Sequence, residues 1–289
     1  MSHRLKFLIL TLAAALACPS MSFGADGEPE GPNKGRITFA GGLDWTSAYF
    51  FRGYNQEDGG LIVQPYLELN TTLAKTDKMS VNGTVGIWNS VHSAQTGSDD
   101  GNSAWYESDI YGRVDFGLQG GWTLSGIYTL YTYPNGAFNS IQEIGVKAGW
   151  DDAPLTEKKL GFALKPYAAI FFEIDDGNGS DDVYLELGIS PTVYSFNLNA
   201  STPVSLTVPL LLGMSLDDFY VDSGGDNELF GYGSIGVAAQ MPLPIPSDYG
   251  SWSLKASITY LQLFADSVEI VNNGESNQFI GTVGVSFTY

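Results

Sequence analysis

The sequence is poor in cysteine, histidine and charged residues. With one cysteine and two histidines in 289 residues, it contains neither a disulfide framework nor a cysteine–histidine zinc cluster. Charged residues make up only 16% of the chain and aromatic residues 13%, a combination that excludes intrinsic disorder. Basic residues are fewer than acidic residues, and the resulting formal net charge of −19 disfavours a nucleic-acid-binding module. No run of about 18 apolar residues occurs, so no transmembrane helix is expected.

What the chain does have is glycine and large aromatic side chains. It contains 35 glycines, 16 tyrosines, 16 phenylalanines and 6 tryptophans. A long chain of this composition is typical of a large all-β protein.

The N-terminal region predicts export from the cytoplasm. Arg4 and Lys6 precede an apolar stretch over residues 7–17, and small residues end at Gly24, which is the layout of a signal peptide over residues 1–24. Cleavage there would remove the one cysteine and leave a net charge of −21. Residues 25–36 are polar and predict a flexible periplasmic leader. Residues 37–289 then form one domain.

Period-two alternation of apolar and polar residues dominates this domain and predicts strands with one apolar and one polar face. Clusters of Gly, Asn, Asp, Ser and Pro separate the alternating segments. The predicted strands are 37–51, 61–74, 79–89, 105–118, 121–132, 141–150, 161–174, 183–196, 202–216, 229–241, 251–264 and 278–289.

The alternation predicts a closed antiparallel transmembrane β-barrel of about 12 strands. In lipid, the backbone N–H and C=O groups at an open sheet edge would have no hydrogen-bond partner. A sheet whose apolar face points to lipid therefore has to close on itself. An even strand number places both termini on the same side, here the periplasm. The predicted location is the outer membrane of a diderm bacterium. Expected partners are outer-membrane lipid, lipopolysaccharide and, through the last strand ending in Tyr289, the barrel-assembly machinery.

The connections between strands alternate in length, and charge follows the same division. The six longer ones contain sixteen acidic residues and no Lys or Arg. Short periplasmic turns and long external loops are typical of outer-membrane barrels. Nearly all the excess negative charge is therefore predicted to lie on the external rim.

The charged residues of the strands fall on the polar faces, which would line the barrel interior. A narrow porin-like channel for small solutes, with a preference for cations, is the predicted function. Two alternatives remain open: a structural or adhesion barrel without an open pore, whose acidic loops bind a partner or divalent cations, and an outer-membrane hydrolase. The predicted pore-lining residues are Asp44, Arg52, Glu68, Glu107, Asp109, Arg113, Asp115, Glu143, Lys147, Lys165, Glu173, Glu186 and Lys255.

Catalytic and cofactor sites are not expected. His92 is the one histidine after the predicted cleavage, and it lies near Ser93 and Asp99 in a loop rich in small residues, where it is predicted to be solvated. Nucleophilic catalysis needs a base held rigidly against its nucleophile. Hard cations such as Ca²⁺ take oxygen ligands on flexible loops. The weak candidates for such a calcium site are Asp175, Asp176, Asp181 and Asp182.

A short motif near the end of the first predicted strand resembles the N-terminal signature of the TorF-type porin family, which has a Ser-Asp-Tyr-x-Phe-Arg-Gly pattern. It reads Thr46-Ser47-Ala48-Tyr49-Phe50-Phe51-Arg52-Gly53-Tyr54, with Asn55, Gln56 and Pro65 following. Ala48 stands where the family has Asp. The resemblance covers about 40 residues and implies an outer-membrane barrel acting as a passive channel, without an assigned substrate.

Overall fold

The chain folds into a closed antiparallel β-barrel. The computed structural model describes residues 36–94, 96, 104–175, 182–199 and 202–289. The predicted signal peptide and nearly all of the predicted leader lie outside these residues. Within the described part, no helix is both long and apolar enough to cross a membrane.

The described residues contain sixteen β-segments, two α-helices and one short 3-10 helix (Ser247–Tyr249). The segments are β1 (Ile37–Thr46), β2 (Tyr49–Phe51), β3 (Tyr54–Glu57), β4 (Ile62–Lys75), β5 (Met79–His92), β6 (Trp105–Leu118), β7 (Trp122–Thr132), β8 (Ile141–Trp150), β9 (Tyr167–Asp175), β10 (Val183–Ile189), β11 (Thr192–Asn199), β12 (Thr202–Thr207), β13 (Leu210–Asp217), β14 (Phe230–Pro242), β15 (Ser251–Leu263) and β16 (Asn277–Thr288). The helices are α1 (Ala153–Leu160) and α2 (Asp266–Val271).

Fourteen of these segments form the barrel wall, and they correspond to twelve strands. β10 and β11 are one strand interrupted near Pro191, and β12 and β13 are one strand interrupted near Pro209, because proline lacks the N–H that a ladder needs. Each strand pairs with its sequence neighbour, and β1 closes the ring on β16. The predicted barrel of about twelve strands is confirmed.

The outer surface of the barrel is apolar. Along β6, for example, Ile110, Val114, Phe116 and Leu118 are exposed, whereas Tyr111 on the other face is buried. Similar rows on the other strands include Leu67 and Leu69 on β4 and Ile144 and Val146 on β8. The large side chains exposed to the surroundings are therefore those that the alternation assigns to lipid.

The two rims of the barrel differ. We call the rim that carries Ile37 and Tyr289 the terminal rim, and the opposite one the loop rim. Hydrogen bonds of 2.8 Å in both directions between the backbones of Phe39 and Tyr289 close the barrel at the terminal rim. Strands are joined there mostly by short connections, with residues 151–166 as the main exception, and the connections at the loop rim are generally longer.

One terminal-rim connection departs from the prediction. Residues 161–166, predicted as the beginning of a strand, precede β9 as irregular chain, and residues 153–160 form α1. The Asp152 carboxylate fixes this connection by accepting backbone hydrogen bonds from Lys165 at 2.8 Å and Leu164 at 3.3 Å. Burial alone would raise the pKa of Asp152, but these hydrogen bonds outweigh it and hold the pKa below its usual value.

The largest difference from the prediction lies directly after β1. Residues 47–51 were predicted to continue the first wall strand. Instead the chain leaves the wall at Ser47 and folds into the barrel as an inner hairpin, β2–β3 (Tyr49–Glu57). Its turn is Arg52-Gly53, and both residues have positive φ angles, 44° and 88°, as a type I′ hairpin turn requires.

Candidate functional site in the barrel lumen

The barrel interior contains nearly all the residues predicted to line a pore. Eleven of the thirteen lie on barrel strands, where they are buried or partly buried and alternate with outward apolar residues. Arg52 also lies inside, but at the tip of the inner hairpin and not on the wall. Lys165 lies in the terminal-rim connection before β9, because the strand begins later than predicted.

Arg52 is held on all sides inside the lumen. Its Nη1 and Nη2 atoms donate to the two carboxylate oxygens of Glu143 on β8, at 2.7 and 3.0 Å. Its guanidinium carbon lies 4.1 Å from the ring centre of Tyr184 and 4.6 Å from that of Phe171. Arg52 therefore ties the hairpin tip to the opposite wall through a bidentate ion pair and cation–π contacts.

Aromatic side chains from the hairpin and the loop rim fill the space around this pair. Phe219 and Tyr220, on the connection between β13 and β14, are fully buried, and the Tyr220 hydroxyl donates to the Arg52 carbonyl at 2.7 Å. Tyr54 donates to the Phe219 carbonyl at 3.0 Å and shares a hydrogen bond with Ser267 of α2. We call the inner hairpin together with Phe219 and Tyr220 the plug. It closes the lumen on the loop-rim side.

The plug fits against the wall because inner-face glycines leave room for its rings. A side chain at Gly231 on β14 would overlap the ring of Tyr220, and one at Gly53 would press on Tyr232. Glycine at such positions allows a close approach that any larger residue prevents. Part of the high glycine content thus accommodates aromatic rings in the lumen.

Several carboxylates of the lumen accept hydrogen bonds from tyrosines. The pairs are Tyr49 to Glu107 at 2.9 Å, Tyr111 to Glu68 at 2.8 Å, Tyr131 to Glu143 at 3.1 Å, and Tyr167 and Tyr184 to Glu186 at 2.9 and 3.2 Å. A tyrosine hydroxyl solvates a carboxylate but does not neutralise it. The tyrosines therefore add no compensating positive charge to the interior.

Ion pairs account for only part of the lumen charge. Within the described ranges, three are formed: Arg52–Glu143, Arg113–Asp115 at 2.9 Å and Lys255–Asp44 at 3.2 Å. Arg113, Asp115 and Lys255 lie in the terminal-rim halves of their strands, where the inner side chains are partly exposed. This half of the barrel is a polar vestibule that ends at the plug.

His92 differs from its prediction as a solvated loop residue. β5 continues to His92, whose side chain is 1% exposed and stacks on Tyr106. Its Nε2 shares a hydrogen bond with Ser90 Oγ at 2.7 Å, and its Nδ1 with Thr96 Oγ1 at 2.7 Å. Thr96 in turn donates to Glu57 of the inner hairpin at 2.6 Å.

This order of groups resembles a nucleophile–histidine dyad, but Ser90 is fully buried. A serine nucleophile has to reach its substrate, and Ser90 Oγ has no access to one in this arrangement. The contacts join the loop after β5 to the inner hairpin. A sequence signal for this role was the position of His92 in phase with the inner residues Trp88 and Ser90.

The predicted calcium loop is only partly described. Asp176 and Asp181 lie outside the described residues. Asp175 accepts a hydrogen bond from Gln142 at 3.0 Å, and Asp182 is buried. Over the described ranges there is no group of three or more His, Cys, Asp or Glu side chains arranged to hold a metal ion.

Comparison with known proteins finds solved structures of other outer-membrane proteins that align with this chain. No family model and no curated protein matches the chain. An outer-membrane channel from Pseudomonas putida F1 is 10% identical and aligns over 92% of this chain and 100% of its own, with a TM-score of 0.49. The NanC porin is 13% identical over 87% and 98%, with a TM-score of 0.40. The translocator domain of the autotransporter NalP from Neisseria meningitidis is 11% identical over 88% and 89%, with a TM-score of 0.41.

The membrane location follows from the barrel itself. Its ring of strands has no open end in the pairing order, its exterior is apolar, and its charged strand residues point inward. Closed antiparallel barrels with an apolar outer band span the outer membrane of bacteria. The chain is an outer-membrane β-barrel.

Proposed function

We propose that this protein is a narrow channel for small solutes that prefers cations and that is closed at the loop rim by the plug in the conformation described. The observation that carries the proposal is the set of lumen carboxylates whose hydrogen-bond donors are tyrosines and not basic residues. Uncompensated negative charge inside a low-dielectric wall attracts cations and repels anions. The motif around Phe50-Phe51-Arg52-Gly53 supports placing the chain among the TorF-type porins.

The polar vestibule supports a pathway from the terminal rim to the plug. Arg113, Asp115 and Lys255 are partly exposed there, whereas inner residues nearer the loop rim are buried. Passage then requires displacement of the inner hairpin. The hairpin is covalently connected to β1 and β4 but belongs to a separate two-stranded sheet, so it can move without breaking the ladder of the barrel.

The same plug favours a second candidate function. A barrel whose interior stays filled would be a structural or adhesion protein, with its acidic loops binding a partner. In this case the Arg52–Glu143 pair and the aromatic contacts would serve stability alone. A hydrolase receives less support, because Ser90 beside His92 is fully buried.

Conductance in planar lipid bilayers distinguishes these functions. The test variant replaces residues 49–57 by a glycine–serine linker of equal length, and the control replaces residues 76–78 at the terminal rim in the same way. We expect small or intermittent currents for the wild type and the control, and a conductance at least several times larger for the plug variant. Under a KCl gradient, the reversal potential should show cation preference.

Two results would contradict the channel. The first is a plug variant that folds but conducts no current. Removal of the plug would then fail to open a path for ions through the barrel. The second is a reversal potential that shows anion preference. Heat-modifiable migration on gels verifies that each variant remains a folded barrel.

A further inference from the structure

Among the seven buried side-chain atoms of the described residues that have no hydrogen-bond partner, three are oxygens on β6 and directly after β7. They are Glu107 Oε1, Asp109 Oδ1 and the hydroxyl oxygen of Tyr133. The exposed fractions of Glu107 and Asp109 are 0% and 3%, and that of Tyr133 is 7%. Buried polar atoms in proteins are nearly always satisfied, so three unsatisfied oxygens in one region point to a missing ligand.

The three atoms belong to one cluster. Glu107 and Asp109 are two residues apart on β6, and both side chains are buried on its inner face. Tyr133 follows the end of the paired strand β7, and its ring centre lies 5.7 Å from that of Tyr106, the residue before Glu107. Tyr49 of the inner hairpin completes the cluster by donating to Glu107 Oε2.

No base of the described chain compensates these carboxylates. The ion pairs of the lumen involve Glu143, Asp115 and Asp44. The Nη1 and Nη2 atoms of Arg52 are both engaged with Glu143. Two adjacent buried carboxylates without a counterion are costly, since each uncompensated charge loses its hydration. A bound cation resolves this cost by accepting electron pairs from the oxygens, and a proton held between the two carboxylates is the alternative.

We propose that Glu107, Asp109 and Tyr133 form a binding site for a divalent metal cation, with calcium as the best match. Two carboxylates balance a charge of two, and an all-oxygen donor set suits a hard cation. The rings of Tyr49, Tyr106 and Tyr131, all buried, neighbour the two carboxylates and keep them from bulk water. The bound ion would connect the wall to the inner hairpin through Glu107 and Tyr49.

This site does not depend on the proposed channel, because an ion bound between wall and plug requires no current through the barrel. It also differs from the acidic loop at residues 175–182. The two locations can be separated by substitution, because the lumen pair lies on β6 and the loop follows β9.

The test is calcium binding measured by calorimetry on the full-length barrel in detergent micelles, after chelator treatment and dialysis. The lumen variant is Glu107→Gln/Asp109→Asn, which keeps side-chain volume and removes both charges. The loop variant changes Asp175, Asp176, Asp181 and Asp182 to Asn. Glu68→Gln is the matched control, since Glu68 is a buried carboxylate of the inner face that already has Tyr111 as its donor.

We expect one saturable calcium site in the wild type, in the loop variant and in Glu68→Gln. Affinity should fall by roughly tenfold or more in the lumen variant, because both charged ligands are gone. Tb³⁺ bound at the site should give emission sensitised by the nearby Tyr49 or Trp88. This emission should be retained in the wild type, the loop variant and Glu68→Gln, and should weaken in the lumen variant. Single Glu107→Gln gives a second reading if the double variant fails to fold, and it should also weaken binding.

Unchanged binding in the lumen variant would overturn the proposal, and so would loss of the site in the loop variant. Absence of saturable binding in the wild type would mean that the two carboxylates share a proton and hold no ion. A protein that binds calcium as expected but carries no current would disprove the channel and leave this site intact.

Discussion

At the scale of single residues, Arg52 shows how the fold tolerates local strain. A non-glycine residue in the left-handed region costs on the order of 1 kcal/mol, and Arg52 has a φ of 44°. Its side chain compensates through the bidentate pair with Glu143 and the rings around it. The contacts that hold the plug thus also hold the turn.

Removing one member of this pair should cost more than removing both. Arg52→Met leaves the Glu143 carboxylate buried without a counterion, so the free energy of unfolding should fall by about 3–5 kcal/mol. In Arg52→Met/Glu143→Gln the charge is gone, and a large part of that loss should be recovered. Urea unfolding in micelles, followed by tryptophan fluorescence, measures all four members of the cycle. Additive effects of the two substitutions would show that the pair is not coupled.

At the scale of elements, the alternation pattern was sufficient for the wall and insufficient for what lies inside it. Period two fixes which face of a strand meets lipid, so most ends of the wall strands were placed to within a few residues and β6 was predicted as observed, whereas β9 begins six residues later than predicted. The inner hairpin could not be found in this way. Its residues continue the alternation of β1, and departure from the wall at Ser47 depends on contacts with distant residues such as Glu143 and Tyr220.

The interior site was predicted in part for the same reason. The period-two alternation identifies Glu107 and Asp109 as inner residues, but only the structure shows that they lack basic partners. His92 was placed in solvent because small residues around it suggested a loop, while its burial depends on Thr96 and Tyr106. Helix α2 lacks a strong amphipathic sequence signal because it is only six residues long.

A charge on the outer face should report how deep a strand position lies in the membrane. Ile110, near the middle of β6, and Leu118, at its end, are both exposed on the apolar exterior. Ile110→Arg should reduce the free energy of unfolding in lipid vesicles by about 2–4 kcal/mol, and Leu118→Arg by no more than about 1 kcal/mol. Equal losses at both positions in reversible denaturant titrations would contradict a bilayer centred on this strand.

At the scale of the whole molecule, charge is arranged in two layers. Many acidic residues lie at the loop rim, such as Asp217 at the end of β13 and Asp218 and Asp222 after it, and a second set lies inside the wall. Exposed charges act through water and are screened by salt, whereas charges enclosed by the wall are screened much less. The two layers should therefore contribute differently to the selection of ions.

Salt dependence separates the two contributions in the plug variant, whose current makes selectivity measurable. Between 0.1 M and 1 M KCl the Debye length falls from about 10 Å to about 3 Å, so the loop-rim contribution to cation preference should decline. The part of the cation preference that comes from the lumen carboxylates should persist at high salt. Asp217→Asn/Asp218→Asn should weaken the cation preference at low salt alone. Reversal potentials at both concentrations provide the measurement. If preference vanished entirely at 1 M, the interior carboxylates would contribute nothing to selectivity, and the rim would act as the sole filter.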